Sequence, residues 1–370
     1  VKVPLVDLAA QQAEIADEVR EGWDAVLAAT AFIGGPQVAE FEQAYAREIG
    51  VEYCVGVGNG TDALEFALRA AGVDSTGEVI LPANTFIATA EAVVRIGAKP
   101  VLVDVDPTYL LIDPDRVAEA VTERTQAIVP VHLFGQTAPV ELLEPLAAEC
   151  GAVIVEDAAQ SQGARRHGKA AGSFGIAAGT SFYPGKNLGA AGDAGAVLTN
   201  DPDLARRARL LGAHGSEKKY VHETIGFNSR LDTLQAVVLS AKLKRLAAWN
   251  QLRRTVADYY AELLADLPEV VLPRPLDGNE DVWHLYVVQV DRRDEVLGAL
   301  QATGIGAGIH YPDPVHLTPA FADLGQGEGC FPVAEAAAGR ILSLPVYPHL
   351  TRPQQAYVAD ALRSAVNADR

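Results

Sequence analysis

The sequence predicts an α/β protein: a mainly parallel sheet with helices on both faces, followed by a smaller α+β domain at the C-terminal end. Three observations predict it. Apolar, β-rich runs alternate with helical patterns through roughly the first 200 residues, the rhythm of βαβ units. A stretch rich in Pro, Gly and acidic residues, Leu267–Asp281, then breaks the pattern as a connection between domains would. The chain of 370 residues is also long enough for two domains in one enzyme-sized body.

The strands expected are Cys54–Val57, Val79–Leu81, Val101–Val105, Ala127–Val131, Val153–Glu156 and Gly195–Leu198. Between them, Asp62–Ala71, Ala88–Ile96 and Val140–Cys150 carry helical patterns. A long helix follows from Asp232 to Leu264, interrupted or kinked near Trp249. Beyond the connection come a strand (Val282–Val290), a helix (Arg293–Ala302), a short strand (Ile341–Leu344) and a last helix (Arg352–Asn367). The expected division is a large domain over 1–250 and a small one over 251–370. In open α/β sheets, ligands bind beyond the carboxyl ends of the strands, so the residues that follow each strand are the ones to read for chemistry.

Charge narrows the partners. The chain has 48 acidic against 30 basic residues, a net of −18, which repels phosphate backbones and anionic lipid. Neither nucleic acid nor a membrane is an expected partner, and an anionic substrate must be met by a few local cations. The three cysteines (Cys54, Cys150, Cys330) form no CxxC pair, so neither a zinc knuckle nor a disulfide framework is indicated. The stretch Val1–Gln12 lacks the basic start and apolar core of a signal peptide, and no apolar run nears the ~20 residues of a membrane span. The expectation is a soluble, cytoplasmic protein.

Three segments carry chemistry. Gly58-Asn59-Gly60-Thr61-Asp62 joins a strand to a helix, where free N–H groups and small residues make a phosphate cup; the same residues also make an ordinary helix cap. No Walker loop occurs, and Gly56, Gly58 and Gly60 are spaced GxGxG, which is not the dinucleotide fingerprint. The strand Val153–Glu156 leads straight into Asp157. A carboxylate there either caps a turn or faces a ligand, and facing a heteroaromatic nitrogen it would keep that nitrogen protonated. The third segment, Ser181-Phe182-Tyr183-Pro184-Gly185-Lys186-Asn187-Leu188-Gly189, decides between them. Lys186 is the only charged residue between Lys169 and Asp193. Desolvation lowers the pKa of such an amine and makes it nucleophilic toward an aldehyde. Ser181 is placed to give its hydroxyl to a phosphate.

At this point the chain resembles, over nearly its whole length, the sugar aminotransferases of the DegT/DnrJ/EryC1/StrS group. The motifs are NGTDAL (59–64), PANTFIAT (82–89), VEDAAQSQGA (155–164), SFYPGKNLGAAGDAG (181–195) and GFNSRLDTLQA (226–236). The resemblance implies the three-layer pyridoxal-phosphate-dependent transferase fold of the aspartate-aminotransferase type, and a homodimer with sites built at the subunit interface. It makes Lys186 the lysine that holds pyridoxal 5'-phosphate as a Schiff base and Asp157 the partner of the ring nitrogen. Gln160 would meet the ring hydroxyl, and Phe86 would stack on the ring. Gly60, Thr61 and Ser181 would hold the phosphate, reached by Asn228 from the neighbouring subunit. Asn59 stands where Ser is usual, Gln162 where His is frequent, and Ala194 where Gly is frequent; none removes a group the chemistry needs.

The same resemblance places Lys219, Tyr220, His310, Tyr311 and His316 at the substrate, with Lys219 and Tyr220 acting across the dimer, and the Tyr183 hydroxyl is placed to hydrogen-bond a sugar or phosphate oxygen. His310 and His316 do not suggest a metal site, because Pro312 and Pro314 prevent one helix from holding both imidazoles. No metal is expected. The implied substrates are L-glutamate and a nucleotide-linked keto sugar. The residues around Lys186 resemble those of the group that aminates C-3 of a dTDP-3-keto-6-deoxyhexose, for a deoxyamino sugar of a natural product such as an antibiotic, or of a surface glycan. A C-4 keto sugar, an inosose (cyclitol) or a non-catalytic nucleotide-sugar sensor are the alternatives.

Overall fold

The computed structural model describes residues 2–368. Two helices lead, α1 (Leu8–Ala29) and α2 (Pro36–Ile49). The strand–helix rhythm does not announce α1, which buries only a narrow stripe (Gln11, Ile15, Val19, Val26). Its start is set by Asp7, whose carboxylate accepts the Ala10 N–H at 3.0 Å.

Then come β1 (Tyr53–Val57), α3 (Gly60–Ala70), β2 (Glu78–Pro82), α4 (Ile87–Ile96), β3 (Lys99–Val103), α5 (Pro114–Ala120), β4 (Thr125–Ile128), α6 (Val140–Cys150) and β5 (Val153–Asp157). Two short strands, β6 (Arg165–Arg166) and β7 (Lys169–Ala170), precede β8 (Ala177–Ser181) and β9 (Gly195–Thr199). Within the described residues the large sheet has seven strands in the order β1-β9-β8-β5-β4-β2-β3. Only β9 runs against the rest, pairing antiparallel with both β1 and β8. The mainly parallel sheet is therefore as expected. β8 is the strand the sequence hides, because Ala-Ala-Gly-Thr-Ser has no apolar run. Its Gly179 lies under α3, where a Cβ would come within 2.7 Å of the Leu64 backbone, so a small residue here lets the helix sit on the sheet.

After α7 (Pro202–Gly212) and a two-stranded ribbon, β10 (Ser216–Lys218) with β11 (Val221–His222), comes α8 (Thr233–Leu263). The expected break near Trp249 is absent: α8 is one helix of 31 residues. It contains no Gly or Pro to kink it. Trp249 is a packing residue instead, 2% exposed, with its indole N–H on Glu14 Oε2 at 3.0 Å. The first half of α8 packs Ala236, Leu239 and Leu246 with the large-sheet core, and the second half packs Val256, Ala257 and Tyr260 with the C-terminal core.

The C-terminal core is built on β12 (Val270–Val271), β14 (Tyr286–Val290) and β15 (Ile341–Leu344), with α9 (Arg293–Ala302) and α11 (Arg352–Val366). A short β13 (Asn279–Glu280) pairs back onto β6, and α10 (Pro332–Ala338) precedes β15. The strand expected from Val282 starts only at Tyr286. Trp283 has φ 47°, outside the β region, and the segment before Tyr286 bonds to the loop after β4: Val282 N–H to Gly135 O at 3.0 Å and Leu285 N–H to Phe134 O at 3.2 Å. That detour carries His284 toward the large sheet. No helix of the described residues is long and apolar enough to cross a membrane.

Candidate active site

A cavity of about 450 Å³ opens at the carboxyl ends of the parallel strands. Its floor comes from the ends of β5 and β8 and the start of α3, and its sides from Phe86, His284, His310 and Tyr311.

Asp157 closes β5 and is 8% exposed. Its Oδ2 accepts the Thr89 hydroxyl at 2.7 Å, and its Oδ1 accepts the Ala159 N–H at 3.1 Å. Its backbone is tied as well, the N–H to Pro130 O at 2.9 Å and the carbonyl from His132 N–H at 3.0 Å. Side chains alternate along a strand, so the preceding carboxylate, Glu156, points to the opposite face. There it accepts from His132 Nε2 at 2.9 Å and from the N–H groups of Gly172 and Gly175, both at 2.7 Å. One carboxylate of the pair is structural; the other faces the cavity.

Lys186 lies in the loop between β8 and β9 and lines the same cavity. Burial pushes its ammonium down to about 8, against the pull of the Asp157 charge. At pH 7 about a tenth of such an amine is free, far more than for an ordinary lysine. Gln160 is clamped at both ends: its Oε1 accepts the Phe134 N–H at 2.7 Å, and its Nε2 donates to the Tyr311 hydroxyl at 3.0 Å. Burial and the nearby Asp157 charge push the Tyr311 phenol up to about 12, so it stays protonated. The Phe86 ring is half open at 49% exposure and tilts at 37° to Tyr311 with centroids 5.1 Å apart. A flat molecule passing over Asp157 would meet Phe86 on one face.

The start of α3 forms a candidate phosphate cup. Asn59 caps α3 by accepting the Asp62 N–H at 2.8 Å, which leaves the N–H groups of Gly60 and Thr61 without a partner among the described residues. Ser181 stands across from them. A Cβ on Gly60 would come within 2.5 Å of Ser181 Cβ, so only glycine allows this closeness. Gln162, standing where His is frequent in the resembling family, braces the cup from behind, with its Nε2 donating to Ser181 O at 2.9 Å and Thr180 Oγ1 at 3.1 Å.

The structure thus brings Gly60, Thr61, Phe86, Asp157, Gln160, Ser181, Tyr183, Lys186, His310 and Tyr311 to one cavity. Asn228, Lys219 and Tyr220 are exposed and do not line it. The Asn228 carboxamide receives only Arg230 of its own chain, at 2.7 Å, and the Lys219 amine lies 5.0 Å over the Tyr220 ring. His316 is not brought there either. Its ring is 2% exposed, with Nε2 3.0 Å from Glu335 Oε1 and an edge against Phe331, so it is packed inside the protein and closed to a substrate in the cavity. Sequence reasoning missed Thr89, Asp193 and His284. Thr89 had a signal: Thr85 and Thr89 are four residues apart around the start of α4, and their hydroxyls meet at 2.7 Å.

These residues fit pyridoxal phosphate. A buried amine of lowered basicity suits its aldehyde, a buried carboxylate its ring nitrogen, and a cup of free N–H groups its phosphate.

Comparison with known proteins agrees. Residues 13–363 match the model of the DegT/DnrJ/EryC1/StrS aminotransferase family. The chain is 46% identical over 362 residues to the dTDP-3-amino-3,4,6-trideoxy-alpha-D-glucose transaminase of Streptomyces venezuelae, covering 98% of this chain and 96% of that one. It is also 46% identical over 362 residues to the erythromycin biosynthesis sensory transduction protein EryC1 of Saccharopolyspora erythraea, covering 98% and 99%. The crystal structure of S. venezuelae DesV in complex with a ketimine intermediate superposes with a TM-score of 0.97 at 45% identity, covering 100% of this chain and 99% of that one. With this match over its length, the chain belongs to the DegT/DnrJ/EryC1/StrS aminotransferase family, whose chemistry depends on pyridoxal phosphate.

Proposed function

We propose that this enzyme transfers the amino group of L-glutamate to the C-3 ketone of a dTDP-linked 3-keto-6-deoxyhexose, as a cytoplasmic homodimer with shared sites. The observation that carries the transamination is the pairing, in one cavity, of the buried Lys186 amine with the buried Asp157 carboxylate. Support for the sugar is the likeness to the S. venezuelae transaminase, whose name specifies a 3-amino dTDP-sugar.

When bound, pyridoxal phosphate supplies an aldehyde to take up an amine and a protonated ring to accept electron density from a carbon losing its proton. Asp157 would hold the proton at the ring nitrogen, and the Thr89 hydroxyl fixes the position of the Asp157 carboxylate. Lys186 Nζ anchors the cofactor and, once released, moves the proton between carbon atoms. Gln160 would meet the ring hydroxyl, Phe86 would cover the ring, and Gly60, Thr61 and Ser181 would hold the phosphate. Tyr183, His310 and Tyr311 line the space left for the sugar. Lys186 is the only Lys or Arg among the described residues lining the cavity. Cations for a diphosphate must therefore come from outside this wall, and Lys219, beside Tyr220, of a second copy is the proposed source, while Asn228 of that copy would reach the cofactor phosphate.

Product analysis by NMR after incubation with glutamate and a 3-keto dTDP-sugar, a 4-keto dTDP-sugar or an inosose tests the reading. Amine at C-3 is expected. Amine only at C-4, or only on an inosose, overturns the sugar while keeping the enzyme class. No transfer to any of them, with cofactor bound, favours a sensor.

A further inference from the structure

His284 has no part in the roles argued above, yet it lines the cavity with Lys186. Its Nδ1 lies 3.3 Å from Asn187 Oδ1. The orientation of that amide is forced. Asn187 Nδ2 donates to the Val282 carbonyl and to Asn250 Oδ1, each at 2.9 Å, and a carbonyl can only accept. Asn250 is fixed in turn, because its Nδ2 donates to Gln162 O at 2.9 Å. The atom that Asn187 turns to His284 is therefore its oxygen, and Nδ1 of the imidazole carries the hydrogen. Burial first, then the charges of Lys186, Arg253 and His310, hold the ring well below the usual histidine range, so it stays neutral. A neutral ring with its hydrogen on Nδ1 has a bare lone pair on Nε2.

The position of the ring is built as well. Arg253, 1% exposed, donates to the carbonyls of Trp283 at 3.1 Å and Val346 at 3.0 Å. The N–H groups of Val282 and Leu285 are tied to Gly135 and Phe134. Asn187 directly follows Lys186, so the amide that sets the imidazole tautomer also sits at the base of the lysine.

We propose that His284 is a positioning residue for Lys186, its bare Nε2, which makes no hydrogen bond among the described residues, accepting one from the Lys186 amine when the cofactor is in its pyridoxamine form. Other groups around that amine serve differently. Asp157 opposes its charge, and His310 has its Nδ1 engaged with Ser343 Oγ at 2.8 Å. Tyr311 is paired with Gln160.

The inference rests on the reading of Lys186 as the cofactor lysine, and the two fail separately. Borohydride reduction of the holoenzyme and peptide mapping checks that reading alone: cofactor trapped elsewhere than Lys186 sinks it. For His284, ¹⁵N NMR of the full-length holoenzyme at neutral pH is expected to show Nδ1 protonated and Nε2 bare. Competitive chemical labelling of Lys186 across pH, in full-length protein loaded with the pyridoxamine form of the cofactor, reads the amine directly. His284→Phe is expected to lower the labelling midpoint by about one pH unit, the effect of losing one hydrogen bond from a charged donor. His284→Gln, whose amide oxygen reaches the Nε2 position, is expected to restore most of it. An imidazolium or an Nε2–H tautomer in the spectrum overturns the proposal, as does an unchanged midpoint in His284→Phe. The spectrum of the wild type decides whether or not the variants fold.

Discussion

Thr89, in the first turn of α4, donates its hydroxyl to Asp157 Oδ2 at the end of β5, at 2.7 Å and across 68 residues of sequence. A hydroxyl has one hydrogen, so the 2.7 Å contact between Thr85 and Thr89 has Thr85 as donor. The two threonines form a relay that ends on the carboxylate and fixes its orientation toward the cavity. Thr89→Val is expected to lower kcat about tenfold or more, the scale of one hydrogen bond to a charged group, while Thr89→Ser restores it. Steady-state kinetics on the two variants checks this, and a fully active Thr89→Val means that Asp157 is held well enough without the relay.

Asp157→Asn is expected to keep the cofactor bound and to lose most of the rate, because an amide does not hold a ring nitrogen protonated. Cofactor absorbance measured beside turnover separates the two effects. Unchanged turnover would reduce Asp157 to a turn residue.

These contacts show how far the sequence reaches. Lys186, Asp157, Gln160 and Ser181 were legible because each sits in a motif at a strand end, where the fold delivers ligand-facing residues. Thr89 and His284 were not, because their partners lie 68 and 97 residues away, and only the four-residue spacing of Thr85 and Thr89 gives a local hint of one of them. β8 was hidden by the small residues that let α3 pack on it. The uninterrupted α8 was obscured because Trp249 reads like a break, whereas its indole is buried against α1. His316 illustrates the reverse: its motif suggested a substrate, and the fold spends it on Glu335.

Gly60→Ala tests the phosphate cup. The new Cβ would come within 2.5 Å of Ser181 Cβ and 3.1 Å of its Cα, so the start of α3 must move away. Cofactor affinity is expected to fall at least about tenfold, the loss of one or two charge-assisted hydrogen bonds, with circular dichroism unchanged. Equilibrium dialysis with pyridoxal phosphate measures it. Wild-type affinity would place the phosphate elsewhere.

The lowered Lys186 pKa is also a statement about stability. Its folded value of about 8 lies below its ordinary value of 10.5, so between these pH values the unfolded chain binds more protons. Stability from this group therefore rises with pH from about 8 to 10.5, and below that window the buried ammonium opposes folding by up to about 3 kcal/mol. Without cofactor, Lys186→Met is expected to melt a few degrees above wild type at pH 7, with the gap closing toward pH 10. Thermal scans of both proteins across that range test it. A variant that melts lower at pH 7 would show that the amine is paired or solvated, and it would remove the burial argument for its reactivity.

The proposed sharing of the site between two copies makes the last prediction. Asn228 is exposed and bonds only within its own chain, and the same segment leaves Tyr220 81% and Ile225 91% exposed. Large side chains so open, next to a residue that the family resemblance assigns to the phosphate, are what a second copy would cover. Lys186→Ala and Asn228→Ala chains should each be nearly inactive alone. Mixed and allowed to exchange, half the dimers are hybrids, each with one intact site and one doubly altered site, so activity should return to about a quarter of wild type. Chain exchange followed by a glutamate-dependent turnover assay measures it. No recovery in a mixture that demonstrably forms hybrids, or full activity in a monomeric fraction by sedimentation, would mean that each chain completes its own site.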